Sequence, residues 1–332
     1  MFFKKLKKTY LTLLLTLLII PTCAFAYSDY IIAGGENIGI ELNAKGVMVV
    51  GLYKVNDSYP AREAGLKVGD VILSINNQNV SNISELIKTI DKYSNNKIIR
   101  IGYSRNNENK TANLPLYKDT DNVYKTGLYV KDSITGIGTL SFIDPKTKLF
   151  GALGHEIMEK STGKILEIKN GKIFDSTVTS IERSENGNPG EKNAKFDSAS
   201  IKGTINENTS RGIFGTYTQD FSNKKLYKVA KPAEVKLGNA KILTVLEDTE
   251  IREYSIKITK INSNFNQKTK NILFEITDKN LLNKTGGVIQ GMSGSPIIQG
   301  EYIVGAITHV VIDDPTRGYG IFITNMLEEA EN

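Results

Sequence analysis

Near the C-terminal end of the chain stands Gly291-Met292-Ser293-Gly294-Ser295-Pro296, a serine hydroxyl set among glycines and flanked by the apolar runs 287–289 and 297–298. Glycine on both sides of Ser293 permits a sharp turn that leaves the hydroxyl uncovered and lets backbone N–H groups converge on one point. Acyl transfer needs this pairing of a nucleophile with donors for the oxyanion that its attack creates. The donors expected here are the amides of Gly291 and Ser293. A Gly/Ser/Pro hairpin turn would have the same composition, so the partners decide. A serine nucleophile needs a base that titrates near neutrality, and the chain has two histidines, His155 and His309. His155 follows Gly154 at the end of the apolar segment 149–153. His309 lies in 305–310, the run that follows the serine turn. A third group, a buried acid, would hold the imidazole in one tautomer. Asp278, 15 residues before Ser293, and Asp197, 42 residues after His155, are both candidates.

The elements that must position these residues read as strands. Short apolar and β-branched runs recur at 127–130, 137–142, 165–168, 172–181, 240–246, 253–261, 271–277 and 303–311, separated by Gly-, Asn- and Lys-rich turns. No long amphipathic helix intervenes before residue 324. The pattern predicts an all-β barrel or sandwich over 126–327. Within it, the polar stretch 187–195 reads as a mobile loop. A base delivered from the first half of such a domain and a serine from the second is the double-barrel arrangement, which favours His155 over His309.

Composition narrows the field. The chain has 332 residues, enough for two domains, with 40% hydrophobic and 23% charged residues, which is the balance of a globular protein. The net charge of +6 carries no dense basic patch interleaved with aromatics, so nucleic acid is not the expected partner. The single cysteine, Cys23, falls in the N-terminal segment, and two histidines cannot furnish a His/Cys zinc site. No metal and no cofactor is expected.

Residues 1–26 carry Lys4, Lys5, Lys7 and Lys8, then an apolar core, Pro21, and Ala24-Phe25-Ala26. This is the layout of a signal peptide, with an uncleaved membrane anchor as the alternative. The rest of the chain is expected to be exported.

Between 31 and 118 the order is different. Pro60-Ala61-Arg62-Glu63-Ala64-Gly65 predicts a short helix opened by Pro60 and closed by Gly65. Gly69-Asp70 leads into the strand 71–75, Asn76-Asn77 turns, and 84–90 has helical spacing with Ser81 or Asn82 as its cap. The segments 98–103 and 111–116 close the unit, and the polar 119–125 is read as a linker. This span resembles a PDZ domain of exported bacterial proteases. The resemblance implies an α+β fold in which the amides of Ile38, Gly39 and Ile40 form a carboxylate-binding loop. The ligand implied is a peptide C-terminus, or an own N-terminal segment, added as a strand.

Taken with that domain order, the motifs 151–157, 291–298 and 305–320 resemble the stage IV sporulation protein B serine peptidase family. The fold implied is mainly β: a PDZ domain followed by an all-β, trypsin-like double-barrel-type peptidase domain. The resemblance assigns the triad to His155, Asp278 and Ser293, with Ser295 set aside. It implies an exported endopeptidase in the space between the two membranes of a developing spore. There it would cut a membrane-anchored regulatory protein, release late sigma-factor processing, and cleave itself near its N-terminus. Two other readings stay open at the level of sequence: a peptide-binding scaffold with an inactive peptidase domain, and a general exported quality-control protease.

Overall fold

The computed structural model describes residues 27–93, 95–118, 123–262 and 269–331. The expected signal peptide or anchor, 1–26, lies outside the described residues. Among the described residues no helix is long and apolar enough to cross a membrane.

In chain order the strands are β1 (Tyr30–Ala33), β2 (Asn37–Leu52), β3 (Val71–Ile75), β4 (Gln78–Asn79), β5 (Ile98–Arg105), β6 (Glu108–Pro115), β7 (Tyr117–Lys118), β8 (Tyr124–Lys125), β9 (Leu128–Ile143) and β10 (Leu149–Ala152). They continue through β11 (Met158–Glu159), β12 (Lys164–Ile165), β13 (Ile168–Glu182), β14 (Glu191–Thr209), β15 (Gly212–Tyr217), β16 (Leu226–Val229), β17 (Gly238–Val245), β18 (Ile251–Ile261), β19 (Ile272–Ile276), β20 (Pro296–Gln299), β21 (Tyr302–Val310) and β22 (Arg317–Phe322). The α-helices are α1 (Pro60–Glu63), α2 (Ile83–Lys92), α3 (Lys279–Thr285) and α4 (Ile323–Ala330).

Strands dominate because β-branched residues alternate with polar ones. In β18, Tyr254, Ile256 and Ile258 point into a core while Glu253, Ser255 and Lys257 face out. Three cores result. One gathers Val47, Ile72, Ile75, Leu86, Ile99 and Leu114 in the first domain. A second gathers Ile38, Ile40, Leu140, Phe150, Ile173 and Ile213. The third gathers Ile242, Ile256, Phe274, Met292, Ile297 and Ile307. The last two are the cores of the two halves of the second domain. A further apolar layer, with Ile31, Phe142, Phe214, Ile303 and Met326, joins them.

The first domain follows its expected local signals. Pro60 opens α1, and Gly65 takes φ +85° after it. Asn76 and Asn77 both have left-handed φ in the turn between β3 and β4. The Asn82 side chain caps α2 by accepting from Glu85 N at 2.8 Å. Arg105 grips the buried Asp70 with two bonds, Nε to Oδ1 at 2.6 Å and Nη2 to Oδ2 at 2.7 Å, which pins the Gly69-Asp70 turn.

Three local expectations are corrected. The runs 127–130 and 137–142 are one continuous strand, β9. The stretch 187–195 is not a loop throughout: a turn closes between Glu185 and Asn188, and β14 begins at Glu191 with Lys192 fully buried. Ile31 belongs to β1, which pairs with β9 and β16 rather than with strands of the first domain.

Candidate active site

Ser293 lies between α3 and β20. Gly291 and Gly294 take φ +90° and +95°, which only glycine adopts without strain. A Cβ on Gly294 would stand 2.0 Å from Thr139 O and 2.6 Å from Leu153 N, so this glycine also lets the turn abut the first half of the domain. The turn spends its amides selectively. Met292 N donates to Ile289 O at 3.1 Å, Gly294 N to Ile307 O at 2.7 Å, and Ser295 N to Met292 O at 2.9 Å. The two amides of 291–295 that donate to no acceptor among the described residues are those of Gly291 and Ser293. The Ser293 hydroxyl donates to Thr308 O at 2.9 Å. Ser295 is fully buried and faces the core.

His155 is delivered by β10 through two consecutive left-handed residues, Leu153 (φ +69°) and Gly154 (φ +73°). Leucine in that region stores strain, which the buried packing of its side chain holds in place. A Cβ on Gly154 would meet Thr308 Cγ2 at 2.8 Å, so the histidine loop and the strand that receives the Ser293 hydroxyl are in close contact. His155 Nδ1 lies 2.8 Å from Glu156 O. A carbonyl only accepts, so Nδ1 carries the proton and Nε2 presents its lone pair. That tautomer suits a general base.

His309, on β21, lies beside His155 with ring centroids 5.4 Å apart and the ring planes tilted by 44°. Burial pushes its imidazole down to about 4, helped by His155 and Lys270, so it stays neutral near pH 7. A neutral neighbour avoids repulsion when His155 takes a proton.

The structure ties neither candidate acid to the imidazole. Asp278 is the N-cap of α3: its Oδ1 accepts from Leu281 N at 3.0 Å and its Oδ2 from Ser255 N at 3.3 Å. Asp197 is exposed on β14 and accepts from Ala199 N at 2.9 Å. Among the described residues, the group that holds His155 Nδ1 is a backbone carbonyl.

Three residues beside the site escaped the sequence reading. Thr308 accepts the Ser293 hydroxyl through its carbonyl. Thr139, on β9, touches both the serine turn and the histidine loop. Lys192 packs its stem 3.2 Å from the position of a Cβ on Gly291, and its Nζ donates to Thr244 Oγ1 at 2.9 Å. A lone lysine in a polar stretch gave no hint of full burial.

The carboxylate-binding role of Ile38, Gly39 and Ile40 is corrected. These residues sit near the start of β2, which pairs with β13 on one edge and β9 on the other (Gly39 opposite Phe174 and Ile137). Their backbone groups serve two ladders, and Ile38 and Ile40 are core residues. On β2, where an added peptide strand was expected, lies β9 itself, antiparallel, with Leu42 opposite Ile134. The start of α2 is fastened to that strand, since Ile83 N donates to Asp132 Oδ2 at 2.8 Å.

Two β cores thus bring a turn-borne serine against a histidine loop, behind an N-terminal PDZ unit. The chain belongs to the SpoIVB peptidase S55 family, whose model matches residues 122–327, and a PDZ domain model matches 37–116. The chain is also 32% identical over 72 residues to a "Serine protease Do-like HtrA" of Lactococcus lactis subsp. cremoris (strain MG1363), covering 22% of this chain and 18% of that protein. The protein of the same description from L. lactis subsp. lactis (strain IL1403) is 31% identical over 72 residues. The chain therefore spans under a fifth of the length of these curated relatives. Among solved structures, the PDZ domain of the SdrC-like protein from Listeria monocytogenes matches 26% of this chain and 90% of its own, at 26% identity and a TM-score of 0.23. The Rv3671c protease from M. tuberculosis, in its active form, matches 60% of this chain and 74% of its own, at 15% identity and a TM-score of 0.34.

Proposed function

We propose that the protein is an exported serine endopeptidase with Ser293 as nucleophile and His155 as base. Ser293 Oγ gives up its bond to Thr308 O, passes its proton to His155 Nε2 and attacks the scissile carbonyl. The amides of Gly291 and Ser293 receive the oxyanion. His155 then protonates the leaving amine, and water deacylates the enzyme. The observation that carries this reading is the turn itself: of five consecutive amides, the two with no acceptor among the described residues are two residues apart and belong to Gly291 and the serine.

Asp278 is the third triad member by family likeness. In that role its carboxylate would leave the cap of α3. Family membership supports the finer reading: a membrane-anchored regulatory protein as substrate, signalling between compartments during spore formation, and self-cleavage near the N-terminus. The absence of a carboxylate bond to His155 among the described residues favours one rival, a scaffold whose peptidase domain does not turn over.

The deciding experiment compares the mass of the exported product for the wild type and Ser293→Ala. Trimming beyond Ala26 in the wild type alone supports a serine peptidase that acts on itself. Equal trimming of both assigns the cut to another protease and favours the scaffold.

A further inference from the structure

We infer that Thr139 is a positioning residue of the oxyanion site: its hydroxyl fixes the peptide plane that joins the two donor amides. The inference rests on the peptidase reading proposed above.

Thr139 is fully buried on β9, in the first half of the peptidase domain. All three of its polar groups reach the active site. Its N–H donates to Ser293 O at 3.1 Å, and its carbonyl accepts from Leu153 N at 3.3 Å, one step before the Gly154-His155 pair. Its hydroxyl donates to Gly291 O at 2.7 Å, across 152 positions of sequence.

Three peptide planes set where the two donors point, and each is anchored through its carbonyl. The plane carrying the Gly291 amide is held by Lys192 N on Gln290 O at 3.0 Å. The plane carrying the Ser293 amide is held by Ser295 N on Met292 O at 2.9 Å. Between them lies the Gly291–Met292 plane, which sets the angle between the donors. Its carbonyl anchor is the Thr139 hydroxyl, and Met292 N on its other side meets Ile289 O. Gly291 has no Cβ to resist a rotation of this plane, so the hydroxyl does what a side chain on residue 291 cannot. Of the three carbonyl anchors this one alone comes from a side chain, so substitution can remove it without touching the backbone. Donors of this kind act through preorganisation, and a rotated donor loses its effect on the reaction while ground-state binding persists.

The test measures phosphonylation of Ser293 by a fluorophosphonate probe, in which the Ser293 Oγ–P bond forms and fluoride leaves. The rate of the chemical step and the probe's binding constant are determined separately for the full chain. Thr139→Val, close to threonine in shape, is expected to slow the chemical step by about tenfold or more, leaving probe binding within about twofold. Thr139→Ser, which keeps the hydroxyl, is expected to restore most of the rate, whereas a role in packing alone would make serine the worse variant. If Thr139→Val does not fold, Thr139→Ser is compared with Thr139→Ala, and serine must be the faster. Equal chemical rates for wild type and Thr139→Val, or for Ser and Ala variants, overturn the inference while the peptidase reading stands. A wild type labelled no faster than Ser293→Ala overturns both.

Discussion

At the scale of single residues, the site is built from groups whose roles depend on what they touch. Lys192 shows this most sharply. Burial pushes its amine down to about 7 from the ordinary 10.5, and among the described residues the one partner of its Nζ is the Thr244 hydroxyl. Between pH 7 and 10.5 the unfolded chain holds this proton and the folded chain releases it. Unfolding takes up a proton there, so stability rises with pH, by up to about 1.4 kcal/mol per unit. Below pH 7 both states are charged and this dependence vanishes. Lys192→Met is therefore expected to flatten the rise in unfolding free energy between pH 7 and 10 in urea titrations, and an unchanged slope would refute the neutral amine. Ser293, Gly291 and His155 could be proposed from sequence because nucleophile, turn and base each restrict residue type. Thr139 could not, since a threonine in a strand has no signature and its hydroxyl bond spans two halves of the domain.

At the scale of elements, α3 raises a question that chemistry can separate. Asp278 caps that helix, and the family likeness also assigns it to the triad. Serine is an equally good cap but has no carboxylate. Asp278→Ser is expected to keep stability within a few tenths of a kcal/mol, while Asp278→Ala loses about 1 kcal/mol. If the carboxylate serves His155, both variants lose the peptidase activity by several orders of magnitude. If Asp278→Ser stays active and only Asp278→Ala is unstable, the residue is a cap and nothing more. The helices and turns of the first domain were legible because Pro, Gly and Asn fix backbone angles locally. β9 and β14 were not. Lys131, Asp132 and Ser133 interrupt β9, and β14 is rich in Lys, Asn and Ser, so neither shows the apolar run of a buried strand. Both form because their neighbours supply ladders on either side. The PDZ carboxylate loop failed for the same reason: whether the amides of 38–40 are free depends on strands from elsewhere in the chain.

At the scale of the whole molecule, β2 belongs to two cores at once. Ile38, Ile40 and Leu42 pack in the first half of the peptidase domain, and Val47 and Val49 in the PDZ core. Two units that share a strand cannot lose their packing independently. Calorimetry is expected to show one cooperative transition, and two resolved transitions would contradict the shared strand.

β9 runs unbroken from its ladder with the PDZ strand, opposite Met48 at Lys131, to Thr139, which holds the serine turn. A peptide that competes for the β2 edge must lift the very strand whose far end anchors Gly291. In the peptidase proposed above, linkage makes this reciprocal: whatever tightens the turn around an acylated serine strengthens the strand's hold on β2 by the same free energy. The two ends of β9 thus behave as one balance, in which weight placed on the PDZ edge is felt as slack at the oxyanion, and an occupied active site defends the PDZ edge against any rival strand.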